Sequence, residues 1–170
     1  LRGVAAAVLL GLTVAGCGGS LRKLQQAAYY GDNQTVQQLL ATEDINKPWN
    51  ADTPLSSAAA GGKLSTVKLL LAQGADPNGW LKKGSMYDFN LRPLLRAAQG
   101  GHESVIRELL NAGADIDMAI EQAESQVHPS VPEMTAALER LRELKAEEAP
   151  RLAAEKGRRE RKDQLEKKLS

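Results

Sequence analysis

Three stretches of this 170-residue chain repeat one another, and that self-similarity limits the fold more than any other feature. The stretches are residues 24–46, 55–78 and 94–117. Leu24, Leu55 and Leu94 correspond, and so do the pairs Ala27-Ala28, Ala58-Ala59 and Ala97-Ala98. Gly31, Gly62 and Gly101 follow, then Val36, Val67 and Ile106, then the pairs Leu39-Leu40, Leu70-Leu71 and Leu109-Leu110.

Each copy reads as two short helices. Leu followed by Ala three and four positions later makes a narrow apolar stripe, and the small Ala side chains admit a close neighbour. The Gly after it permits the positive φ that a tight helix–helix turn needs. The second helix sets Val or Ile and the Leu pair on one face, and Gly74 and Gly113 suit its C-terminal cap. One copy cannot bury both of its faces, so the copies must stack.

The pattern resembles the ankyrin repeat. The run from Thr53-Pro54-Leu55 to Gly74-Ala75-Asp76-Pro77-Asn78 follows that family's motif almost position for position, with Ser56 where the family commonly has His. The third copy has Arg92-Pro93-Leu94 and keeps Gly101-His102. The first has Arg22-Lys23 and a shortened end at residues 43–46, which suits an N-terminal cap. The resemblance implies an all-α solenoid of helix-turn-helix repeats with short hairpin-like fingers. About three repeats are expected, closed by a degenerate C-terminal capping repeat. Gly31 and Gly62 are 31 residues apart, whereas Gly62 and Gly101 are 39 apart. Against a usual period of about 33, the second finger, residues 79–91, is about six residues longer. The closing repeat should use residues 118–126 and then 133–144, with Met134, Ala137, Leu138, Leu141 and Leu144 on one side. Pro132 suits the first turn of that last helix.

The chain's start reads as an address. Arg2 precedes an apolar run from Val4 to Val14 that is too short to span a bilayer. The run ends in Val14-Ala15-Gly16-Cys17, which resembles the bacterial lipoprotein signal. The resemblance implies cleavage before Cys17 and acylation of that residue; an ordinary signal peptide or a buried N-terminal helix is the alternative. Gly18 after the Cys implies sorting to the outer membrane. The thin positive region and the lack of an initiating Met lead us to expect a start upstream of Leu1. The expected layout is a signal over 1–16, a tether over 17–20, the repeat domain over 21–144 and a charged tail over 145–170.

Composition narrows the chemistry. With 22 basic and 21 acidic residues the chain lacks the basic excess of a dedicated nucleic-acid binder. One Cys excludes an internal disulfide and a Cys-cluster zinc site, and two His leave little for a His-based metal site. No nucleophile motif, phosphate-binding glycine loop or metal spacing is present. His102, Asp76, Asp115 and Asp117 fall in turns and caps, where structural roles account for them, and His128 sits in a loop before Pro129. No cofactor, metal or small-molecule substrate is expected. The tail mixes 10 basic with 7 acidic residues from Arg142 onward, with Pro150 and Gly157 as interruptions. It is expected to be partly helical and mobile, either a solubilising appendage or an electrostatic contact for anionic lipid or a partner.

The six aromatics are the most telling residues: Tyr29, Tyr30, Trp49, Trp80, Tyr87 and Phe89. None falls on a core position of the repeat. Tyr29 and Tyr30 end a first helix, Trp49 lies in the first finger, and the others lie in the second. In ankyrin proteins the fingers and first helices line a concave binding groove, and large aromatics are common interface anchors. The other reading is that they pin the fingers to the repeats. Asn50, Asp52, Lys82, Lys83 and Asp88 would form a polar rim. The expected function is a non-enzymatic, protein-binding lipoprotein on the periplasmic side of the envelope, acting as an inhibitor, immunity protein or protector. The alternative is an envelope spacer acting through its tail; an enzyme is a third reading.

Overall fold

The computed structural model describes residues 19–49, 52–79, 92–126 and 132–169. Among these, the chain forms eight helices and no strand. They are α1 (Gly19–Tyr30), α2 (Asn33–Leu40), α3 (Pro54–Ala60), α4 (Leu64–Ala72), α5 (Pro93–Gln99), α6 (Glu103–Asn111), α7 (Ile116–Gln126) and α8 (Pro132–Leu169). Successive pairs stack: α1 packs on α3, α3 on α5 and α5 on α8, while α2, α4 and α6 form a second layer.

The repeated apolar positions make the core. Leu24, Leu55 and Leu94 are buried, as are Val36, Val67 and Ile106, and one continuous cluster links all the repeats. Of the Leu pairs, Leu70 and Leu109 are buried, while Leu39 and Leu40 of the first repeat are only partly covered. Local signals start the helices. Thr53 and Ser56 form a reciprocal capping box with Pro54 at the first turn, so the Ser in the family's His position caps its own helix. Asp32 caps α2 through the Thr35 backbone N–H at 3.1 Å.

Glycine is required between repeats for two different reasons. Gly62 has φ +66° at the helix–helix turn. Gly61 has an ordinary φ of −79°, but a Cβ there would lie 2.1 Å from the Tyr29 carbonyl oxygen. The close approach of α1 to α3 therefore excludes any side chain at that position.

Asparagines join the repeat ends. The Asn46 side chain accepts from the Asp76 N–H at 2.9 Å and donates to the Gly74 carbonyl at 3.4 Å. Asn78 repeats this one unit on, accepting from the Asp115 N–H at 2.7 Å and donating to the Gly113 carbonyl at 3.1 Å. Each repeat end thereby satisfies backbone groups of the next.

Two elements differ from the sequence expectation. Gly19 and Ser20, expected in a flexible tether, already belong to α1, and the Ser20 hydroxyl donates to Glu43. The expected break at Pro150 and Gly157 does not occur, and α8 runs unbroken for 38 residues. Its first turns are nucleated by packing, since Met134, Ala137, Leu138, Leu141 and Leu144 are all buried. Arg140 adds a tie to the stack, bonding Glu103 of α6 at 2.9 Å. Past Leu144 the sequence supplies opposite charges four residues apart, as in Glu147/Arg151, Glu155/Arg159 and Asp163/Lys167, a spacing that supports a solvated helix.

Candidate functional site: a depression over the inner helices

The inner layer of α1, α3 and α5 presents its small residues where a partner would approach. Small Ser57 of α3 lies beside the longer side chains of α1 and the first finger. The result is a shallow depression of about 410 Å³ lined by Arg22, Gln25, Gln26, Tyr29, Tyr30, Trp49, Asp52 and Ser57.

Tyr29, Tyr30 and Trp49 are 46%, 67% and 38% exposed, which sets them apart from the buried aliphatic core. The two tyrosine rings meet edge to face, with centroids 5.2 Å apart and planes at 89°. That pairing favours this arrangement of the two rings. Trp49 stands at the base of the first finger, where it pairs with Asp52 in a two-way backbone bridge of 2.9 and 3.1 Å. Gln25 of α1 clamps this finger, donating to the carbonyls of Trp49 (2.9 Å) and Asp52.

Asp52, expected on the polar rim, lines the depression with its side chain in an ion pair. Its carboxylate is held by Arg96 of α5, with Nη2 at 2.8 Å from Oδ1 and 2.9 Å from Oδ2, and Nε at 3.2 Å from Oδ1. The Ser56 hydroxyl also donates to Oδ1 at 3.2 Å. Through this pair Asp52 ties the first finger to the third repeat, and its charge is offset. Arg22 makes no ion pair among the described residues, which leaves the depression with a cationic edge. Asn50, Trp80, Lys82, Lys83, Tyr87, Asp88 and Phe89, together with Cys17, lie outside the described residues.

Arg22, read from the sequence only as part of an N-terminal cap, and Gln25, Ser57 and Arg96 were not expected at the site. The first two carried a signal: Arg22, Gln25 and Tyr29 recur at helical spacing on the side of α1 away from Leu24 and Ala28. His102 behaves as a structural residue, its Nε2 3.1 Å from the Ala60 carbonyl. Among the described residues no group of three His, Cys, Asp or Glu side chains is arranged to hold a metal ion. No described helix is long and apolar enough to cross a membrane.

Stacked helix pairs with inner and outer layers, short fingers and turn glycines define an α-helical repeat solenoid with an open binding face. A family profile described as ankyrin repeats, in three copies, matches residues 24–120, more than half of the chain. The chain belongs to the ankyrin-repeat family, whose members are typically non-enzymatic protein-interaction scaffolds. Comparison with curated proteins gave no match.

Proposed function

We propose that this ankyrin scaffold captures a protein partner on the depression between α1, α3 and the first finger, while an acyl chain on Cys17 holds it at the periplasmic face of an outer membrane. The observation that carries the docking site is the gathering of exposed Tyr29, Tyr30 and Trp49 around one depression; Met118, the other large apolar residue exposed among the described ones, does not line it. Aromatic rings give contact area at small entropic cost, and Arg22 adds attraction for a carboxylate beside an apolar partner side chain. Residues 79–91, the longer finger, would extend this surface and set which partner fits. The resulting complex would inhibit, neutralise or protect the captured protein. The lipid anchor rests on the Val14-Ala15-Gly16-Cys17 run and raises the scaffold's local concentration near envelope partners.

The test immobilises the chain and a Tyr29→Ser, Trp49→Ser variant side by side and exposes both to envelope extract. A protein retained by the first and lost from the second supports the depression. Equal retention by both, or retention that depends only on residues 145–170, refutes it and favours the tail as the working part. Cys17→Ser reads out the anchor separately, because the chain should leave the membrane fraction and lose the mass of its acyl groups.

A further inference from the structure

We infer that the distal half of α8 is a docking face for an anionic lipid surface, formed by one acid-free arc of the helix. The inference is independent of the depression over α1 and α3. From Arg151 to Leu169 the helix carries eight basic and four acidic residues. At about 100° per residue, positions 151, 158, 161, 162 and 168, all Arg or Lys, fall within an arc of about 120°. Ala154, Leu165 and Leu169 share that arc, and Glu155, Glu160, Asp163 and Glu166 all fall outside it. The described side chains in this stretch, Ala154, Arg158 and Arg161, are on the arc and exposed.

The arc has a definite orientation relative to the stack. The buried stripe Met134, Ala137, Leu138, Leu141 and Leu144 is centred roughly 120° around the same helix from it. Positions 155, 163 and 166, with basic position 159, fall on the stripe's side of the helix, and the acid-free arc falls away from it. Nineteen helical residues extend this arc over about 27 Å along the helix axis.

The row fits a planar anionic headgroup surface better than other polyanions. Single-stranded nucleic-acid surfaces interleave basic with aromatic residues for stacking, and α8 contains no aromatic. An acidic protein would call for a shaped recess, whereas a single helix offers a convex ridge. Leu165 and Leu169 on the basic arc itself suit an interface where charge and acyl boundary lie at similar depth.

The test uses the full chain carrying Cys17→Ser, so that no acyl chain contributes, and measures co-sedimentation with vesicles. Binding is expected to mixed phosphatidylglycerol–phosphatidylcholine vesicles, not to phosphatidylcholine alone, and it should fall as salt rises. Arg158→Gln with Arg161→Gln should weaken partition roughly thirtyfold, from about 1 kcal/mol per basic residue at the surface. Lys156→Gln with Lys167→Gln removes the same charge off the arc and should cost less than about threefold. Circular dichroism confirms that each variant keeps its helix. Equal losses from the two pairs would overturn the arc, and equal binding to neutral vesicles would overturn the electrostatics. Retention on heparin with no vesicle binding would overturn the lipid in favour of another polyanion.

Discussion

His102 sets its imidazole Nε2 3.1 Å from the carbonyl oxygen of Ala60, spanning the gap between the second and third repeats. The ring lies against Gly62 and Gly100, where an added Cβ would come within 2.6 Å and 2.4 Å of its atoms. Lys63 stands in the same place one repeat earlier, its Cδ 3.1 Å from where a Cβ on Gly31 would sit. The residue after each turn glycine thus packs on the turn glycine of the preceding repeat.

This packing makes Gly62 and His102 energetically coupled. Gly62→Ala should destabilise through both a strained positive φ and a collision with the ring, by about 2–4 kcal/mol in all. His102→Ala alone should cost about 1–2 kcal/mol for the lost bond and the space left. In the double variant the collision disappears and only the φ strain persists, so the costs should sum to less than additive. Urea unfolding of the four proteins measures the coupling; strict additivity would show that the ring does not constrain Gly62.

Gly61 and Gly74 separate crowding from backbone conformation. Gly61→Ala places a methyl against the Tyr29 carbonyl and should cost about 2–3 kcal/mol, although its φ suits any residue. Gly74 has φ +91° and open space around it, so Gly74→Ala should cost only about 1 kcal/mol. The order of the two melting temperatures decides between them.

The asparagine ladder should be worth a measurable amount per rung. Asn78→Ala removes one bond of 2.7 Å and one of 3.1 Å to the next repeat and should cost about 1–2 kcal/mol. Asn46→Ala, with its weaker 3.4 Å bond and more exposed setting, should cost less. Amide exchange at Asp115 in the first variant and at Asp76 in the second would locate the loss.

Acid should loosen the junction between α6 and α8. The Glu103 carboxyl is held below its ordinary 4.5, first by the hydrogen bond from Arg140 and then by the charges of Arg140 and Arg107, with burial opposing. A carboxyl depressed in the folded state stabilises fully above 4.5, and that contribution fades as pH falls through the folded-state value. Glu103 is 40% exposed, so the effect should stay below about 1 kcal/mol. Asp32, lowered by its bonds from Thr35, acts in the same direction. Melting curves taken through the acid range should show a flatter fall for Glu103→Gln than for the parent chain.

Ending the chain after Ala149 should leave the stack intact, because the buried residues described on α8 stop at Leu144. Leu141→Ala, by contrast, should cost about 2–5 kcal/mol. Thermal melting distinguishes the two, since only the second variant should melt at a clearly lower temperature.

The stack and its core were readable because three copies repeat the same instructions. Leu24, Leu55 and Leu94 align in the sequence and are buried in the structure for one reason. The two neighbouring tyrosines and Trp49 were readable as off-core aromatics, and they are exposed. The partner of Asp52 was not readable: Arg96 lies 44 residues away, and only the packing of α5 against α3, which Asp52 leads into, brings the two together. The unbroken course of α8 was hidden for the opposite reason. Pro150 is a strong local signal against a helix, but it removes one backbone bond from a helix already nucleated by five buried residues.

Tyr30 occupies the place that Gly61 and Gly100 hold in the later repeats. At Gly61 the glycine admits the backbone of the unit pressed against its front, whereas the Tyr30 ring is 67% exposed at the matching place on α1. The array is therefore polar in how it can evolve or be engineered. A duplicated copy of the middle unit would dock behind another such unit with its glycine already in place. A unit spliced ahead of α1 would meet a phenol where it needs bare backbone, and lengthening the protein from that end calls for Tyr30→Gly first.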